Sequence, residues 1–111
     1  MRFEEVTNKV IAFRDERDWL QFHNNKDLAI SISLEAAELL EVFQWSGVDL
    51  SASAKESQLT DELADVLIYC VLLADKLGVD IPQIISDKVD ANSKKYPVEE
   101  AKGSSRKYVD L

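Results

Sequence analysis

The sequence predicts an all-α fold, an antiparallel bundle of four main helices plus one short segment, assembled as an oligomer. Its 111 residues include only three Gly and two Pro, too few for a turn-rich β protein. Apolar residues make up 46% of the chain and recur at helical intervals in four long stretches. One of these stretches is apolar on every side, which favours burial by partner chains.

The first helix is predicted over residues 3–17, and a turn or brief helix follows over 18–26. The second helix is predicted over 27–45, with Asp27 as its N-cap and Gly47 just past its end. One stripe of the first helix carries four apolar side chains: Phe3, Val6, Val10 and Phe13.

A Ser/Ala-rich linker over 47–54 reverses the chain, and the third helix is predicted over 55–77, stopping at Gly78. The tetrad Asp80-Ile81-Pro82-Gln83 resembles a capping box and predicts a fourth helix that runs to about Tyr96. The tail, 98–111, is predicted to be mostly irregular. The chain is expected to form a single domain, residues 1–111.

The third helix is apolar on all sides from Val66 to Ala74, so we expect self-association with this helix central to the interface. The expected assembly is a dimer or a dimer-of-dimers tetramer. The run is too short to span a membrane, and its Cys70 is the single cysteine. A cytoplasmic location is the simplest expectation.

The net charge of −8, from 13 basic and 21 acidic residues, argues against a nucleic-acid partner, which needs a basic surface. A small polyphosphate can still bind such a chain where a divalent cation lies between the two sets of negative charge.

Two pairs of acids occur at a spacing of three residues: Glu35 with Glu38, and Glu62 with Asp65. Residues at i and i+3 share a helix face, so antiparallel neighbours can bring all four carboxylates together. Carboxylate oxygens are the ligands of hard divalent ions such as Mg²⁺. The alternative is that these acids are ordinary solvated helix faces. Glu41 is a fifth candidate ligand.

Aromatic side chains accompany the acids. Trp45 lies two turns beyond Glu38 and is expected to point the same way, and Tyr69 lies one turn beyond Asp65 on the acid-bearing face. A nucleotide needs a flat surface for its base at some distance from its metal-held phosphates. Core packing is the alternative for both aromatic residues.

Two further groups are weaker candidates. Trp19 and His23 lie four residues apart before the second helix, although a lone histidine is more often structural. The fourth helix carries a stripe of donors suited to triphosphate oxygens: Lys88, Asn92 and Tyr96.

Together these residues resemble the MazG-like all-α NTP pyrophosphohydrolases, and most closely their dCTP pyrophosphatase branch. Broader members carry two adjacent acids at the start of the first motif, where this chain has Leu34. The shared segments cover most of the chain: Arg17 to His23, Glu35 to Leu39, Phe43 to Trp45, Asp61 to Val66, Lys88 through Asn92 to Pro97, Lys102 to Ser104, and Lys107 with Tyr108.

The resemblance implies a helical bundle that binds Mg²⁺, which Mn²⁺ can replace, and hydrolyses a nucleoside triphosphate between its α and β phosphates. By matching position, it implies three sets of residues. They are the metal ligands Glu35, Glu38, Glu62 and Asp65; the base and sugar pocket of Trp19, His23, Trp45 and Tyr69; and the phosphate contacts Lys88, Asn92 and Tyr96.

The mechanistic hypothesis is metal-assisted attack of water on the α phosphorus of a dNTP, with Glu38 or Glu35 accepting the proton. The resemblance favours dCTP or a modified dCTP as substrate, and sanitation of the nucleotide pool as the role. One rival is a non-catalytic acidic helical interaction module. Another is a related bundle that acts on dUTP or phosphoribosyl-ATP.

Overall fold

The computed structural model describes residues 1–106, and every regular element in that range is helical, which confirms the all-α prediction. Lys107, Tyr108 and the last three residues of the predicted tail lie outside the described residues. The five α-helices are α1 (Phe3–Glu16), α2 (Asn25–Glu41), α3 (Glu56–Leu77), α4 (Ile81–Lys95) and α5 (Val98–Ala101). Two 3₁₀ turns, Leu20–Phe22 and Ser53–Lys55, lie in the connections.

The chain divides into two compact units, Met1–Gly78 and a second that begins at Val79. The first holds α1, α2 and α3, and the second holds α4 and α5. The expectation of a single domain over the whole chain stays a prediction.

Helix α1 follows its predicted range closely, but its buried residue is charged. Arg14 is buried, whereas Phe3 and Phe13 of the apolar stripe are exposed. The guanidinium of Arg14 forms ion pairs with Asp15, at 2.9 Å, and with Asp75 of α3, at 2.6 Å. These pairs compensate the cost of burying its charge and tie α1 to α3.

Helix α2 begins earlier than the sequence predicts. Its N-cap is Asn24, whose side-chain oxygen accepts a 2.8 Å hydrogen bond from the backbone N–H of Asp27. Asp27 is therefore the third residue of the helix and not its cap. The Asp27 carboxylate returns the contact by accepting from the Asn24 side-chain amide at 2.8 Å. Both residues are good caps, and this reciprocal pairing selects the earlier one.

The end of α2 is also earlier than predicted, at Glu41 rather than Trp45. The backbone N–H groups of Phe43 and Gln44 bond to carbonyls three residues back, at 3.0 Å each, so the last helical turn tightens and stops. Trp45 then adopts a left-handed backbone conformation, with φ of 65°.

Helix α3 packs principally against α2 and, less extensively, against α1. It ends at Gly78 as predicted, and this glycine takes the left-handed conformation of a C-cap, with φ of 68°. Val71, Leu72 and Ala74 are buried, whereas Leu67 and Ile68 of the same apolar run are exposed. The other buried apolar residues of the described chain are Leu28, Val42 and Ala52.

In the second unit, Asp80 is the N-cap of α4, as the sequence predicts, and accepts from the backbone N–H of Gln83 at 3.0 Å. The side chain of Gln83 donates to Asp87 instead of returning to the cap. The tail is less irregular than predicted, since Val98–Ala101 forms the short helix α5 after Pro97. Within residues 1–106, no helix has the length and apolar character needed to cross a bilayer.

Candidate metal centre

Four carboxylates meet where α2 packs on α3. Glu35 and Glu38 of α2 and Glu62 and Asp65 of α3 each offer one oxygen, and these oxygens all lie within 4.8 Å of one another. Glu35 and Glu62 are half-buried, whereas Glu38 and Asp65 are exposed. We call these four residues the acid cluster. Glu41 is not one of them.

Two features of the sequence produce this convergence. The spacing of three residues places each pair on one helix face. The second feature is the antiparallel course of the helices. The acid cluster joins the later part of α2 to the earlier part of α3, while His23, just before α2, lies near enough to Lys76 at the end of α3 to feel its charge.

The acid cluster is electrostatically strained without a cation. Burial raises the pKa of Glu35 from its ordinary 4.5 to about 7, and hydrogen bonding to Glu38 and repulsion from the other three acids add to the shift. Burial also raises the pKa of Glu62, again with a contribution from Glu38. Both raised pKa values indicate that ionising all four carboxyl groups together is energetically unfavourable.

Two buried oxygens of the acid cluster have no hydrogen-bond donor in the part of the chain that the structure describes. Oε2 of Glu35 and Oε2 of Glu62 are buried, and no hydrogen-bond partner for either is found among residues 1–106. A buried charged oxygen is costly unless it is paired or binds a metal. The donor set, oxygen only, matches the preference of Mg²⁺, Mn²⁺ and Ca²⁺ rather than that of softer ions. The residues present therefore fit a hard divalent cation.

The argument that placed Trp45 beside Glu38 is wrong, because it assumed that α2 continues to residue 45. The helix ends four residues earlier, and Trp45 lies on the following turn with 91% of its surface exposed. It is an accessible aromatic side chain near the end of α2, not one held on the acid-bearing face.

Tyr69 lies on a continuous helix, as the sequence predicts. It lies within α3, four residues after Asp65, and its side chain is half-buried. A residue at i+4 lies one turn along the same face, so Tyr69 flanks the acid cluster on the side towards Lys76.

Trp19 and His23 occupy the connection between α1 and α2, at the opposite end of the α2–α3 pair from the linker. Ten residues of helix separate Asn25 from Glu35, which corresponds to about 15 Å along the axis. These two residues therefore do not touch the acid cluster directly within the unit, and any shared ligand must span that interval.

His23 has a buried Nδ1 with no hydrogen-bond partner in the described part of the chain. Burial lowers the pKa of His23 below 6.5, and repulsion from Arg14 and Lys76 lowers it further. The lowered pKa favours the neutral imidazole.

The predicted phosphate contacts belong to the second unit. Lys88 and Asn92 lie one turn apart in α4, as the sequence predicts. Tyr96 is the C-cap residue just past α4, and its backbone N–H donates to the Asn92 carbonyl at 2.9 Å. The donor stripe therefore ends at Asn92.

The sequence reasoning missed the environment of Trp19. Its ring meets the ring of Phe13 in an edge-to-face contact, and the guanidinium of Arg17 lies over Phe13. The signal was present, since Arg17 at the C-cap of α1 is four residues after Phe13, but Phe13 was assigned to the general apolar stripe of that helix.

Comparison with known proteins bears on the family and the fold of the chain. The MazG-like family model matches residues 30–111, which include the whole acid cluster. A pyrophosphatase from Archaeoglobus fulgidus DSM 4304, known from a crystal structure, is 40% identical, with a TM-score of 0.79 over 85% of this chain and 91% of that one.

Mammalian proteins named dCTP pyrophosphatase 1 are similar over 97% of this chain. The mouse protein is 40% identical and the human protein 39% identical. The chain spans 66% of the length of each of these two relatives. With the family model matched over most of its length, this chain belongs to the MazG-like family.

Proposed function

We propose that the protein is a metal-dependent nucleoside triphosphate pyrophosphohydrolase, which converts a dNTP to dNMP and pyrophosphate. The acid cluster carries the proposal, because a bound cation would pair two buried glutamate oxygens that have no hydrogen-bond partner among residues 1–106. The mammalian relatives and the archaeal protein are all named as pyrophosphatases.

Mg²⁺ is the proposed ion, with Mn²⁺ as a substitute, and all four acids are its proposed ligands. When bound, such an ion neutralises polyphosphate charge and lowers the pKa of coordinated water. The residues themselves fix the position of the site, since each carboxylate is carried by a helix and not by a loop.

The proposed reaction joins a water oxygen to the α phosphorus and breaks the bond from that phosphorus to the oxygen bridging to the β phosphate. Pyrophosphate leaves, and the water proton passes to a carboxylate oxygen of Glu38 or Glu35. Glu38 interacts with both Glu35 and Glu62, so it has a central position in the acid cluster. Glu35, with its raised pKa, is the other candidate base.

The remaining contacts are proposed from the resemblance and from placement. Lys88, Asn92 and Tyr96 are the proposed phosphate contacts. The proposed base and sugar pocket comprises Trp19, His23, Trp45 and Tyr69. Within the first unit, about 15 Å of helix lies between Asn25 and Glu35, so the assignment of Trp19 and His23 to this pocket is carried by the resemblance.

dCTP, or a modified dCTP, is the favoured substrate because the mammalian relatives are named for it. Pool sanitation is the corresponding role. The decisive experiment is a screen of dCTP, dUTP, dTTP and modified cytosine nucleotides, with excess Mg²⁺ or with EDTA. Release of monophosphate and pyrophosphate only with Mg²⁺ supports the proposal; release of inorganic phosphate, or no turnover, contradicts it.

A matched pair of variants tests the acid cluster. Glu38→Gln should abolish turnover while leaving the helical circular dichroism unchanged, because the change is isosteric. Glu56→Gln removes an equal charge from an exposed position at the start of α3 and should retain turnover. Wild-type activity in Glu38→Gln would remove this residue from the mechanism.

We also propose that the protein acts as a homo-oligomer, a dimer or a dimer of dimers, through the exposed apolar face of α2 and α3. Large apolar side chains on these helices are at least 45% exposed: Ile30, Leu34, Leu63 and Leu67. A contiguous apolar surface of this kind favours association. Sedimentation velocity should show a species larger than 12.5 kDa, whereas a compact monomer at all concentrations would contradict the proposal.

A further inference from the structure

We propose that Phe13 and Arg17 are positioning residues, which hold the indole of Trp19 in a fixed orientation for stacking a nucleoside base. The inference rests on the proposed function for its ligand. It adds two residues that the resemblance does not include in the base pocket, Phe13 in the last turn of α1 and Arg17 at its C-cap.

The ring contact is the first observation. The ring centroids of Phe13 and Trp19 are 5.6 Å apart, and the ring planes meet at 78°. An edge-to-face pair at this distance is a favourable arrangement because the positive edge of one ring meets the negative face of the other. Rotation of the indole about its side-chain bonds would lose this contact.

Arg17 also contacts this aromatic pair. Its Cζ lies 3.7 Å from the centroid of Phe13 and 6.0 Å from that of Trp19, within reach of a cation–π interaction with both rings. Its Nη1 also donates to the backbone carbonyl of Phe13 at 2.9 Å. The guanidinium therefore fixes Phe13 by its ring and by its backbone.

The backbone that carries Trp19 is also held. Asp18 has a φ of 54°, a conformation uncommon for residues other than glycine, which turns the chain sharply after α1. The Trp19 N–H then returns to the Arg14 carbonyl at 3.1 Å. The Asp18 carboxylate accepts from the Gln21 side chain at 2.9 Å, closing the turn.

The indole is in contact with its neighbours and is still accessible to solvent, since Trp19 is 43% exposed. An exposed aromatic surface held in one orientation suits base stacking, because less side-chain freedom is lost when a base binds. Freeing the indole should weaken binding about three- to tenfold, as expected for one immobilised side chain. The chemical step, which takes place at the acid cluster, should not change.

The kinetic test compares two phenylalanines of one helix. Phe13→Leu should raise KM for the preferred dNTP about three- to tenfold and leave kcat within about twofold. Phe13→Tyr keeps the ring and should restore the wild-type KM. Phe3→Leu is the control, because Phe3 lies on the same stripe of α1 with the same 47% exposure, and no ring contact of it is found within residues 1–106.

The spectroscopic test does not depend on turnover. The chain has two tryptophans, so Trp45→Phe leaves Trp19 as the single reporter. In that background, Phe13→Leu and Arg17→Gln should each lower the fluorescence anisotropy of Trp19 and increase its quenching by acrylamide. Phe3→Leu should change neither quantity.

The outcomes separate this inference from the proposed function. Unchanged anisotropy in both Phe13→Leu and Arg17→Gln would overturn the positioning role, whether or not the protein hydrolyses nucleotides. Lower anisotropy with an unchanged KM would also overturn it, since Trp19 would then be held but would not bind the base. Absence of turnover in the wild-type protein would instead reject the proposed function, and the anisotropy would still report whether the indole is held.

Discussion

Nη1 of Arg14 donates to Oδ2 of Asp75 at 2.6 Å, joining α1 to the end of α3 across 61 residues of sequence. The side chain of Arg14 is 5% exposed, so its charge depends on this partner and on Asp15. Burial opposes the charged form, but hydrogen bonds to both aspartates outweigh it and raise the pKa of Arg14. The pair is thus a structural tie between helices.

Asp75→Asn should therefore lower the free energy of unfolding by about 1–3 kcal/mol, because it leaves a buried guanidinium with a single charged partner. Asp15→Asn is the matched control. Asp15 is more exposed and adjacent in sequence, so its loss should cost less than about 1 kcal/mol. Urea unfolding measures both values. An equal effect of the two changes would refute a stabilising role for the Arg14–Asp75 ion pair between α1 and α3.

The N-cap of α2 gives a second test. Asn24→Ala should cost about 1 kcal/mol, because the backbone N–H of Asp27 loses its acceptor. Asn25→Ala, one residue along, replaces the same side chain at the first helical position and should be nearly neutral. Chemical denaturation of the two variants compares them directly, and the reverse order of stabilities would place the cap elsewhere.

Stability of the metal-free protein should fall as pH rises between about 4.5 and 7. In this interval the folded protein holds a proton at Glu35 that the unfolded chain has released, so raising the pH favours unfolding. The expected loss is on the order of 1 kcal/mol, a few degrees in Tm. Thermal melts in EDTA across this range measure it.

Two additions control the pH experiment. Glu35→Gln cannot ionise and should flatten the pH dependence. Excess Mg²⁺ should raise Tm above pH 7, where the carboxylates are charged, and have little effect near pH 4.5. A melting temperature that rises with pH in EDTA would be inconsistent with a strained acid cluster.

His23 is the single histidine of the chain, so its ring protons give one NMR titration curve. The midpoint should lie below 6.5, because burial and then the charges of Arg14 and Lys76 disfavour the imidazolium. Lys76→Gln removes the smallest of these causes and should raise the midpoint while leaving it below 6.5. A midpoint above 6.5 in the native protein would contradict the described environment.

The acid cluster could be predicted from the sequence because its causes are local. The i and i+3 spacing places each pair on one face, and a linker between two long helices favours their antiparallel packing. The residue types of Gly78 and Asp80 likewise predict the C-cap of α3 and the N-cap of α4. These features depend on interactions within a few residues.

The missed features depend on contacts that residue type does not reveal. Nothing before Gly47 signals that α2 ends at Glu41, since Phe43, Gln44 and Trp45 are compatible with a helix. Arg14 reads as a surface residue until Asp75 is placed beside it. Asn24 and Asp27 are both good caps, and only their mutual hydrogen bonds decide between them.

The small interior of the described chain also bears on how its folding responds to dilution. Six apolar residues are buried in residues 1–106, while most of the large ones, Leu34 and Leu67 among them, meet solvent in a single copy. Whatever covers these side chains supplies part of the driving force for folding. With a second copy in that position, folding and assembly share one equilibrium, so that the melting temperature rises with protein concentration.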